Sequence, residues 1–201
     1  MWKETDVLLV IDVQNDFCPG GKLAVPGGDE IVPLVNRLAR SFRHVVLTQD
    51  WHTPEHKSFA TAHPAKNPFE IAMMHYGEQT LWPDHCIQNT QGAAFHKDLN
   101  IPHAELILRK GFREEIDSYS AFFENDRKTP TGLGGYLKER GFEKIVCVGL
   151  AFDYCVRFSA EDARMLGFET EVIEAACRSI DLNGSAADAR RSFAERGIVV
   201  A

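Results

Sequence analysis

Short, continuous runs of aliphatic residues alternate with amphipathic stretches along this chain, and that alternation restricts it to a parallel sheet covered by helices. Residues 7–11 (Val-Leu-Leu-Val-Ile) are apolar throughout, as a strand buried on both faces must be. Residues 44–48, 106–108, 144–148, 169–173 and 198–200 read as five further strands. Over residues 29–41 and just beyond, Ile31, Leu34, Val35, Leu38 and Phe42 fall at helical spacing. Residues 131–140, 155–166 and 185–195 read as helices too, stopped by Gly141, Gly167 and Gly197. The expected fold class is α/β: a three-layer α/β/α arrangement around a central, mostly parallel six-stranded sheet. At 201 residues the chain fits a single domain, residues 1–201, whose core needs no disulfide staples.

Residues 51–102 break the pattern. They are rich in Pro, His, Asn and Gly and show little periodicity, and a long irregular segment inside a compact fold is usually functional.

Charge and composition remove several function classes. Lys plus Arg number 22 against 29 Asp plus Glu, a formal charge of −7 without a basic run, so nucleic acid is not an expected partner. No window of ~18 apolar residues could cross a membrane. The first residues lack the basic-then-apolar pattern of a secretory signal. Five widely spaced cysteines argue against a disulfide framework and for a reducing compartment, which makes the cytoplasm the expected location. Neither Gly20-Gly-Lys22 nor Gly132-Leu-Gly-Gly135 matches a phosphate-binding or dinucleotide-binding pattern.

In open α/β sheets, ligands bind beyond the carboxyl ends of the strands. Four strands here end in residues able to do chemistry: the first in Asp12, the second in Asp50 and His52, the third in Lys110, the fourth in the run to Cys155. Cys155 opens a helix, whose free N–H groups are expected to lower its thiol pKa and to hold an oxyanion beside the sulfur. Asp12 is the candidate proton acceptor, and Lys110 the cation that favours both thiolate and carboxylate. Cys147 and Cys177, in or beside strands, read as structural. In an extended segment Asp50 and His52 point the same way, so they form a candidate metal pair. His85 offers a third ligand from the long loop, His56 a fourth, and Cys86 an alternative thiolate. Two imidazoles and a carboxylate suit Zn²⁺, Fe²⁺ or Mn²⁺. The remaining histidines read as surface or loop residues.

Together these runs resemble a known family. Asp12-Val-Gln-Asn-Asp-Phe17, Gln49-Asp-Trp-His52, Trp82-Pro-Asp-His-Cys86, Lys110-Gly111 and Val148-Gly-Leu-Ala-Phe-Asp-Tyr-Cys-Val156 are similar to those of nicotinamidases, also called pyrazinamidases, among the isochorismatase-like cysteine hydrolases. The resemblance covers nearly the whole chain. It implies hydrolysis of nicotinamide to nicotinate and ammonia through a cysteine thioester, with Asp12, Lys110 and Cys155 as the triad. It implies one divalent metal, zinc first and iron or manganese next, held by Asp50, His52 and His85, with His56 a fourth ligand in some members. It further implies Phe17, Trp82 and Tyr119 as walls of a ring pocket, a cis peptide before Ala151, and an oxyanion hole from the N–H groups of Ala151 and Cys155. Tyr154 departs from relatives that carry histidine there, which bears on pocket polarity. Two alternatives stand beside this reading: another cysteine amidase of the superfamily, acting on a carbamoyl amine without the ring-orienting metal, and a non-enzymatic metal-binding or redox-sensing protein. The expected partner is a small-molecule substrate, and a homo-oligomer stays open.

Overall fold

The structure, a computed structural model, describes residues 2–201. Its strands are β1 (Asp6–Ile11), β2 (His44–Asp50), β3 (Ile71–Met74), β4 (Gly77–Thr80), β5 (Leu106–Lys110), β6 (Lys144–Leu150), β7 (Glu169–Arg178) and β8 (Val199–Val200). Six of them form one sheet in the order β5-β2-β1-β6-β7-β8. Every pairing within it is parallel, as the six-strand reading of the sequence expects.

β1 lies at the centre, and its residues divide between two apolar layers. Leu8 and Val10 pack with Val32, Val35 and Ala39 of α1 (Val32–Ala39) on one face. Val7, Leu9 and Ile11 pack on the other with Leu133 and Leu137 of α2 (Leu133–Glu139), Ala160 and Ala163 of α3 (Arg157–Met165), and Ala189 and Phe193 of α4 (Ser185–Arg196). This is why the run is apolar without alternation: both sides of the pleat are covered. Parallel pairing also brings all the strand ends that carry Asp12, Asp50, Lys110 and Ala151 to one edge. Gly149 makes the last step possible, because a Cβ there would stand 2.0 Å from the carbonyl oxygen of Ile11, its partner on β1.

Two local expectations change. The segment over residues 51–102 is not wholly irregular, since β3 and β4 pair as an antiparallel hairpin within it. Ile71 and Met73 are exposed while the polar Gln79 is buried, so the hairpin shows no apolar period. The helix expected over residues 155–166 begins at Arg157, and Cys155 lies in a single π-helical turn, Phe152–Val156, just before it. The carbonyl of Ala151 ties that turn down by accepting from the N–H groups of Tyr154 and Val156, at 3.1 Å each.

Candidate active site

The turn after β6 delivers a buried thiol, and the neighbouring strand ends deliver its partners. The ammonium of Lys110 stands 2.9 Å from Asp12 Oδ2 and 3.4 Å from Cys155 Sγ, pairs with Asp50 Oδ1, and donates to the Ser118 carbonyl at 2.9 Å. One oxygen each from Asp12 and Asp50 lies within 4.8 Å of Cys155 Sγ and of each other. Thr48 donates to Asp12 Oδ1 at 2.6 Å, which leaves Oδ2 facing the ammonium and without a hydrogen bond of its own. Asp12 has a φ of +49°, so the chain turns there out of β1 and aims its carboxylate back across the sheet edge.

Burial decides the charge states. It pushes the carboxyl of Asp12 up to about 6 even though Lys110 pulls it down. Burial also pushes the Cys155 thiol well above its ordinary value; Lys110 opposes this, and Asp12 and Asp50 add to it. The shift runs opposite to the lowered thiol pKa expected for a helix start: desolvation outweighs Lys110, and the two carboxylates add to it. Lys110 stays charged, since Asp12 and Asp50 hold it well above its usual range in spite of burial. At neutral pH the site holds a thiol, an ammonium and a carboxylate of borderline basicity.

Beside this group, Asp50, His52 and His85 each turn one ligand atom toward a common point, all within 4.8 Å of one another. His52 Nδ1 donates to the Gly111 carbonyl at 2.9 Å, and His85 Nδ1 to the Pro83 carbonyl at 2.8 Å. A carbonyl only accepts, so both rings keep Nε2 for the shared point, 3.6 and 3.9 Å from Asp50 Oδ2. Burial and then His52 push His85 down to about 4, so it is a neutral ligand. Asp50 holds His52 above its ordinary value against burial, a proton that a bound cation would replace. Two imidazole nitrogens and a carboxylate, with both ring orientations fixed from behind, fit a divalent metal.

His56 falls in a different set, with His52 and Asp117. Its Nδ1 lies 2.8 Å from the Ser58 hydroxyl and 3.2 Å from the Ser58 backbone nitrogen, and its Nε2 is buried without a hydrogen-bond partner.

Phe17, Trp82 and Tyr119 line one cleft with Cys155, Ala151, Asp50 and His85, enclosing about 310 Å³ including its mouth. Its walls are mostly apolar and aromatic, the surface a flat ring packs against. Tyr154 closes the same wall, its ring 4.9 Å from that of Trp82 and 5.6 Å from that of Tyr119. The peptide bond between Leu150 and Ala151 is cis.

Several residues of the site are given no role by the sequence reading. Asp117 lines the cleft, buried, and accepts from Gln79 at 3.1 Å. Gln79 of the hairpin also donates to the Tyr119 hydroxyl at 2.7 Å and so fixes the wall. Asp16 accepts the Cys86 N–H at 2.7 Å, holding the loop that carries His85. Only the hairpin's buried polar face, a pattern invisible without its partner, could have pointed to Gln79.

The chain matches the isochorismatase domain over residues 6–201. It is 51% identical to a nicotinamidase of Acinetobacter baylyi over 95% of this chain and 89% of that one. A solved nicotinamidase/pyrazinamidase of Acinetobacter baumanii superposes with a TM-score of 0.98 at 55% identity, covering 100% of this chain and 97% of that one. A pyrazinamidase of Pyrococcus horikoshii, solved in complex with zinc, gives 0.80 at 32% identity, covering 98% of each chain.

Proposed function

We propose how this site works from a fixed premise: the chain belongs to the isochorismatase family. It is an amidohydrolase that acts on nicotinamide, cleaving the exocyclic amide to give nicotinate and ammonia. The observation that carries the reading is the meeting of Lys110 with Asp12 and Cys155, at 2.9 and 3.4 Å, beside a three-donor metal set and an aromatic-walled cleft.

Asp12, Lys110 and Cys155 are the proposed triad. The ring lies between Phe17 and Trp82, with Tyr119 at its edge. Asp12 Oδ2 takes the thiol proton as Sγ attacks the carboxamide carbon. The N–H groups of Ala151 and Cys155 receive the oxyanion, a contribution of about 3–4 kcal/mol per well-placed donor. As the tetrahedral carbon collapses, Asp12 returns the proton to the leaving nitrogen and ammonia departs. A water then gives a proton to Asp12 and adds to the thioester carbon, and the departing thiolate recovers that proton. Lys110 keeps its charge throughout and stabilises whichever of Asp12 and Cys155 is the anion. Asp50, His52 and His85 would hold a divalent metal, zinc by their donor chemistry and iron or manganese next; when bound it would orient the ring by its pyridine nitrogen.

We take residues 1–201 as one hydrolase domain, since both apolar layers enclose the same sheet. The five cysteines are all free, which favours a reducing compartment, and we propose the cytoplasm. No helix among the described residues is long and apolar enough to cross a membrane.

Ammonia release on adding nicotinamide tests the activity, and Cys155→Ala tests the route. The variant should lose turnover at least ~10³-fold while still binding the ring. Residual activity within tenfold of wild type would remove the covalent intermediate.

A further inference from the structure

β1 ends at Ile11, two residues short of the position opposite Asp50, where β2 still needs a partner. The register pairs Val10 with Leu47, so nothing from β1 itself reaches the peptide of Asp50. On its other side β2 is served by β5, which pairs Lys110 with Asp50 and accepts the Trp51 N–H at 2.9 Å. The missing partner is a side chain. Gln14 Nε2 donates to the Asp50 carbonyl at 2.9 Å, and Gln14 Oε1 accepts the Asp50 N–H at 2.8 Å. Its second amide hydrogen goes to the Ala93 carbonyl at 2.9 Å, so both hydrogens are used, and the side chain is fully buried. One carboxamide thus does the work of a strand's peptide group.

We infer that Gln14 is a positioning residue for the metal set and for Lys110: its side-chain amide fixes the backbone of Asp50, and with it the two carboxylate oxygens. Asp50 Oδ1 meets the Lys110 ammonium and Oδ2 faces His52 and His85, so a rotation of this one peptide would disturb both halves of the site. The inference rests on the metal set of the proposed function and adds to it a residue that touches neither substrate nor metal.

The test is a competition titration of the chelator-stripped, full-length protein with Zn²⁺, together with kcat and KM for nicotinamide. Gln14→Met keeps the length and removes every hydrogen bond; it should weaken Zn²⁺ binding 10–100-fold, the usual effect of losing a partner behind a ligand, and raise KM more than it lowers kcat. Gln14→Glu should not rescue it, because the second oxygen would face the Asp50 and Ala93 carbonyls. Gln49→Met is the control. Gln49 Nε2 also donates to the Ala93 carbonyl, at 2.7 Å, but its side chain does not hold Asp50, so zinc affinity should stay at the wild-type value. Zinc binding by Gln14→Met within about twofold of wild type overturns the inference, as does an equal loss in Gln49→Met. If Gln14→Met does not fold, a folded Gln14→Glu that binds zinc like wild type overturns it equally. The titration reads the metal alone, so a protein that binds zinc as described but releases no ammonia would sink the proposed activity and leave the role of Gln14 standing.

Discussion

Replacing Lys110 with methionine would remove the cation that pairs with both Asp12 and Asp50 while keeping the buried stem. At 2.9 Å and an effective dielectric of about 20, the ammonium attracts the Asp12 carboxylate by about 6 kcal/mol, before the cost of desolvation is set against it. Breaking such a buried pair costs roughly 3–5 kcal/mol, a large part of the 5–15 kcal/mol that holds a typical domain together, so the variant should fold with a clearly lowered urea midpoint. The kinetic effect has a definite sign. Burial raises the Asp12 carboxyl to about 6 with Lys110 pulling against it; without the cation the pull disappears and the value rises further. The base form of Asp12 then exists only at higher pH. The wild-type rate should fall as pH drops through about 6, and Lys110→Met should move that acid limb to the alkaline side. At neutral pH its kcat/KM should fall on the order of 10²–10⁴-fold, the range for loss of a positioned general base. The assay is ammonia release from pH 5 to 9, beside urea unfolding. An acid limb still near 6, with stability within about 1 kcal/mol of wild type, would refute the role assigned to Lys110.

Two further substitutions address the metal set. His52→Ala should lower metal content and affinity by more than about tenfold and raise KM; unchanged values of all three would remove His52 from the set. Gly111 has a φ of +64°, and a Cβ there would lie 2.5 Å from His52 Cε1, so Gly111→Ala should push the imidazole off the Gly111 carbonyl and weaken metal binding ~10–100-fold. Gly135→Ala, in open space on α2, is the comparison that should leave metal binding unchanged.

The parallel sheet was legible because strands covered on both faces must be apolar at every position, and Val7 to Ile11 can satisfy nothing else. That Asp12, Asp50, His52, Lys110 and Cys155 would meet was legible because the chain changes character abruptly where each of four strands stops; His85 comes instead from the loop after β4. The rest was hidden for physical reasons. The β3–β4 hairpin turns Met73 outward and Gln79 inward, so it carries no apolar period that the sequence could show. The state of the Cys155 thiol depends on how deeply it is buried and on two carboxylates from other strands, neither of which a junction in the sequence reveals. The task of Gln14 follows from β1 stopping short of β2, a difference in length that exists only once the register is set.

The four strands that feed the cleft lie side by side, as β5, β2, β1 and β6, each contributing its chemistry from its last residue or the turn beyond. A slip of one position in any of the three pairings would turn a whole set of side chains to the opposite layer. Turnover is therefore a proofreading signal for assembly: a chain with any neighbouring pair misaligned would be inert however well collapsed. Recovery of ammonia release during refolding should trail compaction and coincide with the last correct pairing.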